Sequence, residues 1–369
     1  MDLDISVTQG LDKVGQPDWD RLATGDDFYL SYRWLRTLDG DPYVSDYYVL
    51  AHHDGALAGA LPIYDIRVEG SSFYAPRRHR QALTGGGRWL LAGGRRAHHS
   101  GILLSGDERE RRSVLRALLA AGLRLAAERD ARGLVWMFAP TRVARWLHAE
   151  GGSVAFDTVE ACLTADGWDT YLAGLGGRRR KSTMRERRRF EQAAYDLAEQ
   201  PLSECWQALA TLVANLQQKY GYRTTPESMR RVLGSQAEFL DDESVAFTVR
   251  REGRLVAGAL QYRFGDTLYA RMIGFDYARL ANAYEYFNLS YYLPVQYMER
   301  ARLRRLHLGI ESARVKAERG ARLHPLWTVA VPCDGSARVP AERCAAERRA
   351  WRGRYDERVL PAEDWDVPW

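Results

Sequence analysis

The sequence predicts an α/β protein with two similar domains in tandem, each a mixed, mostly antiparallel sheet flanked by helices. The chain has 369 residues, 46% of them hydrophobic, and one core rarely serves so long a chain. The phrase DGALAGAL at residues 54–61 returns, little changed, as EGRLVAGAL at residues 252–260. In both halves a predicted hairpin with this phrase precedes a helix and a further strand, which is a layered α/β order.

The elements of the first half follow from local patterns. Apolar residues at helical spacing predict a helix over 28–40, which ends at Asp-Gly. Two strands are predicted within 47–68, joined at Asp54-Gly55, because Asp-Gly is the strongest short hairpin signal. The half is completed by a long helix over 108–131, a buried strand over 133–140, a helix over 141–150 and a strand over 154–164.

The second half repeats this order. Two helices, over 203–220 and 225–239, lead into its sheet, and Thr225-Pro226-Glu227 supplies an N-cap, an N1 proline and an acid for the second of them. The remaining predicted elements are three strands within 243–275 with turns at Glu252-Gly253 and Gly265-Asp266, a helix over 284–303 bent at Pro294, a strand over 304–310, a helical turn over 314–320 and a strand over 325–331.

These elements place the predicted domains at 1–165 and 166–332, followed by a charged tail at 333–369. No apolar run reaches the ~18 residues that span a bilayer, and the start, MDLDISVTQG, is unlike a signal peptide. We therefore expect a soluble, cytoplasmic protein. The cysteines at 162, 205, 333 and 344 form no CxxC pair, and the histidine pairs lack ligand spacing. Buried free thiols and no metal site are expected.

A basic tract lies between the halves. Eight of the twelve residues at 178–189 are basic and one, Glu186, is acidic. Like charges three and four apart destabilise an isolated helix by ~0.2–0.5 kcal/mol per pair, so we expect an anion to bind here. Phosphates of a nucleic acid or of a phosphorylated cofactor are the candidates, and a solvated charged helix is the alternative. The predicted phosphate-binding residues are Arg178, Arg179, Arg180, Lys181, Arg185 and Arg188.

Candidate site residues concentrate between 269 and 319. Tyr284, Asn288 and Tyr291 fall on one face of the predicted helix, close to the strand that carries Arg271. Polar clusters beside a sheet edge can form substrate walls; ordinary helix packing is the alternative. Lys316 is one of only four lysines among 53 basic residues, and an ammonium has a tunable pKa that arginine lacks. The predicted substrate-binding residues are Tyr269, Tyr284, Asn288, Tyr291, Glu311 and Arg319.

Three segments in this region carry a resemblance to a known family. GALQYRFGDTLYARMIGF is a GAL strand, a glycine turn and a strand with Tyr-x-Arg; EYFNLSYYLPVQYMERARLRRLHLG is a Tyr-Tyr helix followed by a strand; KAERG closes the pattern. Their order resembles the second half of the FemAB-like proteins, often labelled peptidoglycan biosynthesis or recognition proteins, of the GNAT acyltransferase superfamily. With FYLSYRWLRTLD and the basic tract, the resemblance spans residues 28–331.

The resemblance implies two tandem GNAT-like domains and an N-acyltransferase. Well-known members move an amino acid from aminoacyl-tRNA, a co-substrate rather than a bound cofactor, to an amine of a peptidoglycan precursor. Relatives acylate amines of small natural products. The chain departs from GNAT enzymes in lacking a clean [RQ]-x-x-G-x-[GA] loop, the backbone cradle for the pyrophosphate of acetyl-CoA. The nearest match, Gln81-Ala-Leu-Thr-Gly-Gly-Gly, has Thr84 at the position of the first glycine. Acetyl-CoA is therefore a weaker candidate for the acyl donor. The long paired-helix arm of the larger peptidoglycan ligases is also not evident.

Acyl transfer from an activated ester requires a positioned amine, a stabilised oxyanion and a proton acceptor. We assign Lys316, and second Arg271, to the oxyanion or a substrate phosphate. Asp276 or Glu285 is expected to accept the proton, with His307 as the third candidate. The leading hypothesis is an aminoacyl-tRNA-dependent N-acyltransferase with a small-molecule or peptide amine as acceptor. An acyl-CoA-dependent GNAT enzyme and a non-catalytic binding protein are the alternatives.

Overall fold

The computed structural model describes residues 2–75, 87–335, 341–367 and 369. The chain forms two compact units: residues 1–160 with 323–369, and residues 161–322. The domain boundaries expected from the sequence, after residues 165 and 332, remain predictions. Compactness groups the residues differently at two places: residues 161–165 lie with the second unit, and the segment 323–332 lies with the first unit together with the C-terminal segment.

All nine predicted strands are present, and four further strands in the described part of the chain, over 4–9, 90–92, 103–104 and 196–200, were not predicted. In chain order they are β1 (Asp4–Gln9), β2 (Val44–His53), β3 (Ala56–Ile66), β4 (Leu90–Ala92), β5 (Leu103–Leu104), β6 (Gly133–Pro140), β7 (Ser153–Thr164), β8 (Asp196–Gln200), β9 (Ser244–Arg251), β10 (Arg254–Phe264), β11 (Thr267–Phe275), β12 (Arg305–Ile310) and β13 (Arg322–Pro332).

The helices follow the predicted positions closely in the middle of the chain. In chain order they are α1 (Gln16–Leu22), α2 (Tyr32–Arg36), α3 (Glu108–Glu128), α4 (Thr141–Ala149), α5 (Trp168–Gly174), α6 (Gly177–Gln192), α7 (Trp206–Lys219), α8 (Pro226–Phe239), α9 (Glu285–Phe287), α10 (Leu293–Ala301), α11 (Ala313–Ala317), α12 (Ala341–Arg352) and α13 (Ala362–Trp365). As predicted, Thr225 caps α8 through the backbone N–H of Ser228.

The two units share one order of strands. In the first unit β2, β3 and β4 are antiparallel neighbours, and β6 returns parallel to β4 after α3. In the second unit β9, β10 and β11 are antiparallel neighbours, and β12 returns parallel to β11 after α10. Late in the chain, β13 pairs antiparallel with β6 of the first unit. This largely antiparallel α/β architecture confirms the predicted fold class.

Both copies of the repeated phrase begin with the same turn. Asp54 and Gly55 have φ angles of 48° and 77°, and Glu252 and Gly253 have φ angles of 53° and 72°. Two successive left-handed residues are the mark of a type I′ turn, whose twist suits a two-residue hairpin. The acid-glycine pair therefore defines the hairpin in each unit, as the sequence predicts.

The glycine inside each phrase lies beneath a helix. A Cβ on Gly59 would overlap Val114 of α3, and one on Gly258 would come within 2.9 Å of Leu209 Cδ1 in α7. Interiors are packed so closely that an added methyl group needs its neighbours to move. The phrase occurs twice because each hairpin turns tightly and then accepts a helix on its second strand.

The predicted helix over 28–40 was too long. The segment forms a 3-10 turn at Phe28–Leu30 and then the short helix α2. Ser31 separates them: its backbone is extended and its hydroxyl accepts the N–H of Trp34. Such an N-cap starts a new helix rather than continuing the previous turn.

The predicted bend at Pro294 takes another form. Between α9 and α10 the chain makes a π-helical turn at Asn288–Tyr292, directly before the proline. The wider turn releases the carbonyl of Leu289 from the regular pattern, and Gln261 of β10 donates its side-chain N–H to it at 3.2 Å. Such turns mark places where a helix is adjusted to a neighbouring group.

Each unit has its own hydrophobic core. The first lies between its sheet and α3 and includes Trp136 and Trp327. The second includes Phe247 of β9 and Phe190 of α6. The basic helix α6 is therefore anchored in the core of the second unit through an apolar side chain, whatever its charged residues bind.

The sequence predicts no membrane-spanning helix and buried cysteine thiols. Among the described residues, no helix has the length and hydrophobicity to cross a membrane. Cys205 is buried, as expected, but Cys162 is half-buried and Cys333 is exposed, so the expectation of buried thiols was wrong for these two residues. The side chain of Cys344 lies outside the described part of the structure. Cys333 follows the end of β13, where the strand leaves the core.

Replacing Gly59 tests the role of the repeated glycine. We expect Gly59→Ala to destabilise the protein by about 1–3 kcal/mol, because the methyl group would overlap Val114 and approach the Leu103 carbonyl to 3.1 Å. Urea unfolding monitored by tryptophan fluorescence measures the change. Gly70→Ala is the matched control, since nothing lies within 4 Å of its added Cβ. Equal stability of the two variants would contradict this packing role.

Candidate functional site

The candidate site is centred on helix α6 in the second unit. One face of this helix is buried and carries Thr183, Glu186 and Phe190, spaced three and four residues apart. The opposite face carries Arg178, Lys181, Arg185 and Arg188, all exposed and also three or four residues apart. We call these four residues the basic stripe. No ion pair holds any of the four within the described part of the chain.

Glu186 is the centre of a buried polar network. Its side chain is 5% exposed, and its Oε2 forms an ion pair with Arg319 at 3.3 Å. The same oxygen accepts the hydroxyl of Tyr292, while Oε1 accepts the hydroxyl of Ser182 at 2.9 Å. Burial and this hydrogen bond raise the pKa of Tyr292 to about 12. The one acid of the basic tract thus binds α6 to the helical segment that follows β11.

Arg319 completes the network from the other side. Its side chain is 3% exposed, and its guanidinium lies over the Phe287 ring, 3.3 Å from the centroid. Burial lowers the pKa of Arg319, but Tyr292 and Glu186 outweigh it and hold that pKa above its ordinary value. A buried arginine needs both a counter-ion and a stacking surface, and this one has both.

Lys316 lies one turn earlier, in α11, and is also buried. Its Nζ donates to the carbonyl oxygens of Gly309 and Ile310, at 3.0 and 2.8 Å. Burial lowers the pKa of Lys316 from 10.5 to about 7, against smaller opposing effects of Glu311 and Cys162. Between these two pH values the unfolded chain binds more protons than the folded one, so this group makes folding more favourable as pH rises.

The chain bends sharply where Lys316 is held. Gly309, Glu311 and Ser312 have φ angles of 70°, 68° and 50°. Two of them are not glycine, and a left-handed residue with a side chain costs about 1–3 kcal/mol. The ammonium of Lys316 bridges two carbonyl groups of the bend and so offsets part of this cost. Strained backbone of this kind is concentrated at functional sites.

Strands β11 and β12 diverge beside this bend. They pair in parallel from Thr267 with Arg305 to Tyr269 with His307, and in the described structure the register goes no further. Beyond Tyr269, β11 has a bulge toward β10 in which Arg271 is the extra residue, because Leu260 faces Met272 while Gln261 faces Ala270. Bulges often re-aim a side chain next to an active site.

The three predicted proton acceptors are all engaged. Asp276 pairs with Arg279 at 2.8 Å. Glu285 is buried and accepts the N–H of Ala283 with both oxygens, at 3.0 Å each. His307 is buried, its ring is tilted against that of Tyr269 with centroids 5.1 Å apart, and its Nδ1 accepts the N–H of Gly309. The Glu285 carboxylate therefore has a structural role, which is to hold the backbone at Ala283.

The predicted substrate-binding residues are partly assembled. Asn288 and Tyr291 are buried at the π-helical turn, and Asn288 Nδ2 donates to the Tyr284 carbonyl at 3.0 Å. Tyr284 itself is 37% exposed, and Glu311 is exposed at the bend. Tyr284 thus departs from the face it was predicted to share, because its left-handed φ of 63° places it before the helix rather than in it.

Two of the six predicted phosphate-binding residues have internal partners. Arg179 pairs with Glu318 at 2.8 Å, which joins α6 to the end of α11. Arg180 donates to the carbonyls of Ala173 and Leu175, at 2.9 and 3.2 Å. The other four form the basic stripe.

Glu186 and Tyr292 were not predicted from the sequence. A signal was present: positions 183, 186 and 190 have the spacing of a buried helical face, and one of them is the only acid among eight basic residues. The partner could not be identified, because Arg319 lies 133 positions away along the chain.

The chain matches a known protein family and several solved structures. Residues 94–350 match the FemAB-like family, described as peptidoglycan biosynthesis/recognition. The crystal structure of FemX has a TM-score of 0.62 at 12% identity, with 90% of this chain and 97% of that chain covered. A tandem GNAT protein from the clavulanic acid biosynthesis pathway, solved without AcCoA, has a TM-score of 0.54 at 14% identity, covering 90% and 99%.

A conserved protein of unknown function from Bacteroides thetaiotaomicron VPI-5482 has a TM-score of 0.56 at 12% identity, covering 88% of this chain and 100% of that one. No curated protein sequence matches the chain. At these identities the solved structures show the fold alone, which is the tandem GNAT-like fold that the resemblance implied.

A double-mutant cycle tests the buried pair. Glu186→Gln and Arg319→Met are each expected to cost about 3–5 kcal/mol of unfolding free energy, because each leaves the other residue buried without its partner. The double variant should cost less than the sum of the two. Urea unfolding measures all three. Arg314→Met is the control, since Arg314 pairs with Glu318 while 84% exposed and should change stability little.

Proposed function

The chain belongs to the FemAB-like family, a peptidoglycan-related family of acyl and aminoacyl transferases, and on this premise we propose that it is an aminoacyl-tRNA-dependent N-acyltransferase. Its acceptor is an amine of a small molecule or peptide, from the cell wall or a natural product. The aminoacyl-tRNA is a co-substrate that brings both the activated acyl group and the phosphates that bind the protein.

One observation carries this proposal. Helix α6 presents the basic stripe on its outer face, and its inner face is joined to α11 by two ion pairs, Glu186 with Arg319 and Arg179 with Glu318. The segment that contains the buried Lys316 is therefore fixed to the side of α6 opposite the basic stripe, the surface to which we assign phosphate binding. A polyanionic donor bound along the stripe would be separated from the segment with Lys316 by the width of one helix, about 10 Å, a distance that its acylated end could span.

The reaction requires the protein to position the reacting groups and to stabilise the charge that develops on the carbonyl oxygen. An aminoacyl ester is already activated, so the amine has to be held about 3–3.5 Å from the carbonyl carbon. As the N–C bond forms, negative charge develops on the carbonyl oxygen, and a cation stabilises it. We assign this role to the Lys316 ammonium, with Arg271 second. The bond to the ribose oxygen then breaks, and the amine loses its proton. Asp276, Glu285 and His307 are the predicted acceptors of this proton.

The decisive experiment separates the donor classes. Purified protein is incubated with a pool of charged tRNAs plus amine acceptors, and separately with acyl-CoAs, while loss of the acyl group is followed. We expect deacylation of tRNA that depends on the acceptor and is abolished by RNase. Transfer from acyl-CoA that resists RNase would support the GNAT-type alternative. Absence of transfer from either donor would support a non-catalytic binding protein.

Charge reversal tests the basic stripe. The double change Arg178→Glu and Arg185→Glu should weaken tRNA binding at least about tenfold, because the stripe would then repel phosphates that it is expected to attract. The slope of log K against log salt should also fall by about 1 for each phosphate that the protein no longer neutralises. Fluorescence anisotropy with labelled tRNA at several salt concentrations measures both quantities.

The matched control is Arg109→Glu with Arg111→Glu, which makes the same charge change on two exposed residues of α3 in the first unit. If the control weakens binding as much as the stripe variant, general charge and not the stripe governs binding.

The pKa of Lys316 gives a pH test. Because burial lowers it to about 7, a role for the ammonium predicts that the transfer rate falls as pH rises through about 7. Lys316→Met should lose at least about a hundredfold in rate, as for removal of one oxyanion-stabilising donor, while its tRNA affinity is unchanged. Single-turnover kinetics from pH 6 to 9 measures the profile.

Lys219→Met is the control, since it removes an exposed lysine from the same unit; its pH profile should match that of the wild type. A rate that increases through pH 7 and depends on Lys316 would contradict the proposed cationic role, because the neutral amine would then be the active form.

A further inference from the structure

The loop between β11 and α9 contains two left-handed residues that are not glycine. Asn282 and Tyr284 have φ angles of 56° and 63°. Asparagine tolerates this conformation through its short polar side chain, but tyrosine gains no such compensation. A loop that keeps both residues left-handed requires an interaction that fixes its backbone.

Glu285 supplies that interaction from within the protein. Its carboxylate, in a residue 4% exposed, accepts the Ala283 N–H with both oxygens, and Oε1 also accepts the Tyr195 hydroxyl at 2.6 Å. The Tyr195 oxygen in turn accepts the N–H of Ala281 at 2.7 Å. Two backbone N–H groups of the loop thus end on a buried carboxylate and the hydroxyl bound to it.

Such a loop has the geometry of an anion site. Backbone N–H groups on either side of left-handed residues form a concavity that binds phosphates and other anions. The segment Arg279-x-x-Asn282-x-Tyr284 shares only its first residue with the pattern [RQ]-x-x-G-x-[GA], but Asn282 and Tyr284 stand at the two glycine positions and both have the left-handed conformation that favours glycine. The other near match lies at 81–87, where residues up to 86 are outside the described part of the chain.

Here the anion position is already filled. The N–H of Ala283 is directed at Glu285, and the cation of the loop, Arg279, is paired with Asp276 at 2.8 Å. A diphosphate entering this loop would find these donors occupied and would meet a buried negative charge, which costs binding energy.

We propose that Glu285 is a specificity-determining residue, an internal anion that closes this loop against diphosphate-bearing acyl donors such as coenzyme A esters. This rests on the proposed acyl transfer and sharpens it. A donor that cannot place a diphosphate in the loop has to bind through phosphates elsewhere, and the basic stripe offers that surface.

Direct binding of coenzyme A to the full chain tests the proposal without any tRNA or acceptor. By isothermal titration calorimetry, the wild type should show no saturable binding up to about 1 mM, and Glu285→Ala should bind at least about tenfold more tightly, because the change frees the Ala283 N–H and removes the buried negative charge. Glu252→Ala, which removes an exposed acid from a turn in the same unit, should behave as the wild type.

Two results would overturn the proposal. One is saturable binding of coenzyme A to the wild type that is unchanged in Glu285→Ala; the other is a folded Glu285→Ala variant, verified by circular dichroism, with no gain in affinity. Tyr195→Phe frees the Ala281 N–H and removes one hydrogen bond from Glu285, but leaves the carboxylate in place. It serves if Glu285→Ala does not fold, and it should show a smaller gain; no gain would count against the proposal. Failure of tRNA-dependent transfer would leave these binding results unchanged, so the two proposals fail separately.

Discussion

The buried ion pair between Glu186 and Arg319 is the constraint on which the candidate site depends. Taking two charges out of water is costly unless each finds its partner and further hydrogen bonds. The hydroxyl groups of Ser182 and Tyr292 donate hydrogen bonds to the Glu186 carboxylate, and the Phe287 ring covers the Arg319 guanidinium. Among the described helices, the one with the highest positive charge is thereby held against the core by Glu186, one of its two acids; the other, Glu191, pairs with Arg187 of the same helix. The four cations of the basic stripe are exposed on the opposite face of the helix, where they are available to an anion.

Strain and burial occur together at the ends of β11 and β12. Each strand is followed by left-handed residues that are not glycine, and each bend is held by a buried charged side chain. Glu285 accepts the Ala283 N–H after β11, and Lys316 donates to the carbonyls of Gly309 and Ile310 at the end of β12. The two side chains complement the backbone dipoles with opposite signs. Both were selected from the sequence as catalytic candidates, and both also have a structural task, so function and local stability are difficult to separate at these positions.

Much of the fold was predictable because its determinants are local. The acid-glycine turns, the Thr225 cap, the long amphipathic helix and the order of strands all depend on neighbours a few residues apart, and each was confirmed. The errors arose where a side chain intervened: the Ser31 hydroxyl divides a predicted helix, and Gln261 accommodates a π-helical turn before Pro294. The repeated phrase was visible as a pattern, but the reason for its glycine, the close approach of a helix, came only from the packing.

The sequence by itself determined the fold class, the duplicated hairpin, the family resemblance and the position of the basic helix, because these follow from composition, periodicity and motif order. Tertiary structure decided which basic residues of that helix are available. Arg179 and Arg180 have partners brought together by folding, whereas the four residues of the basic stripe have none among the described residues. It also decided the partner of Glu186 and the engagement of Glu285. Such pairings depend on contacts between residues far apart in the chain, and a sequence pattern records the charge of a residue but not the group that will neutralise it.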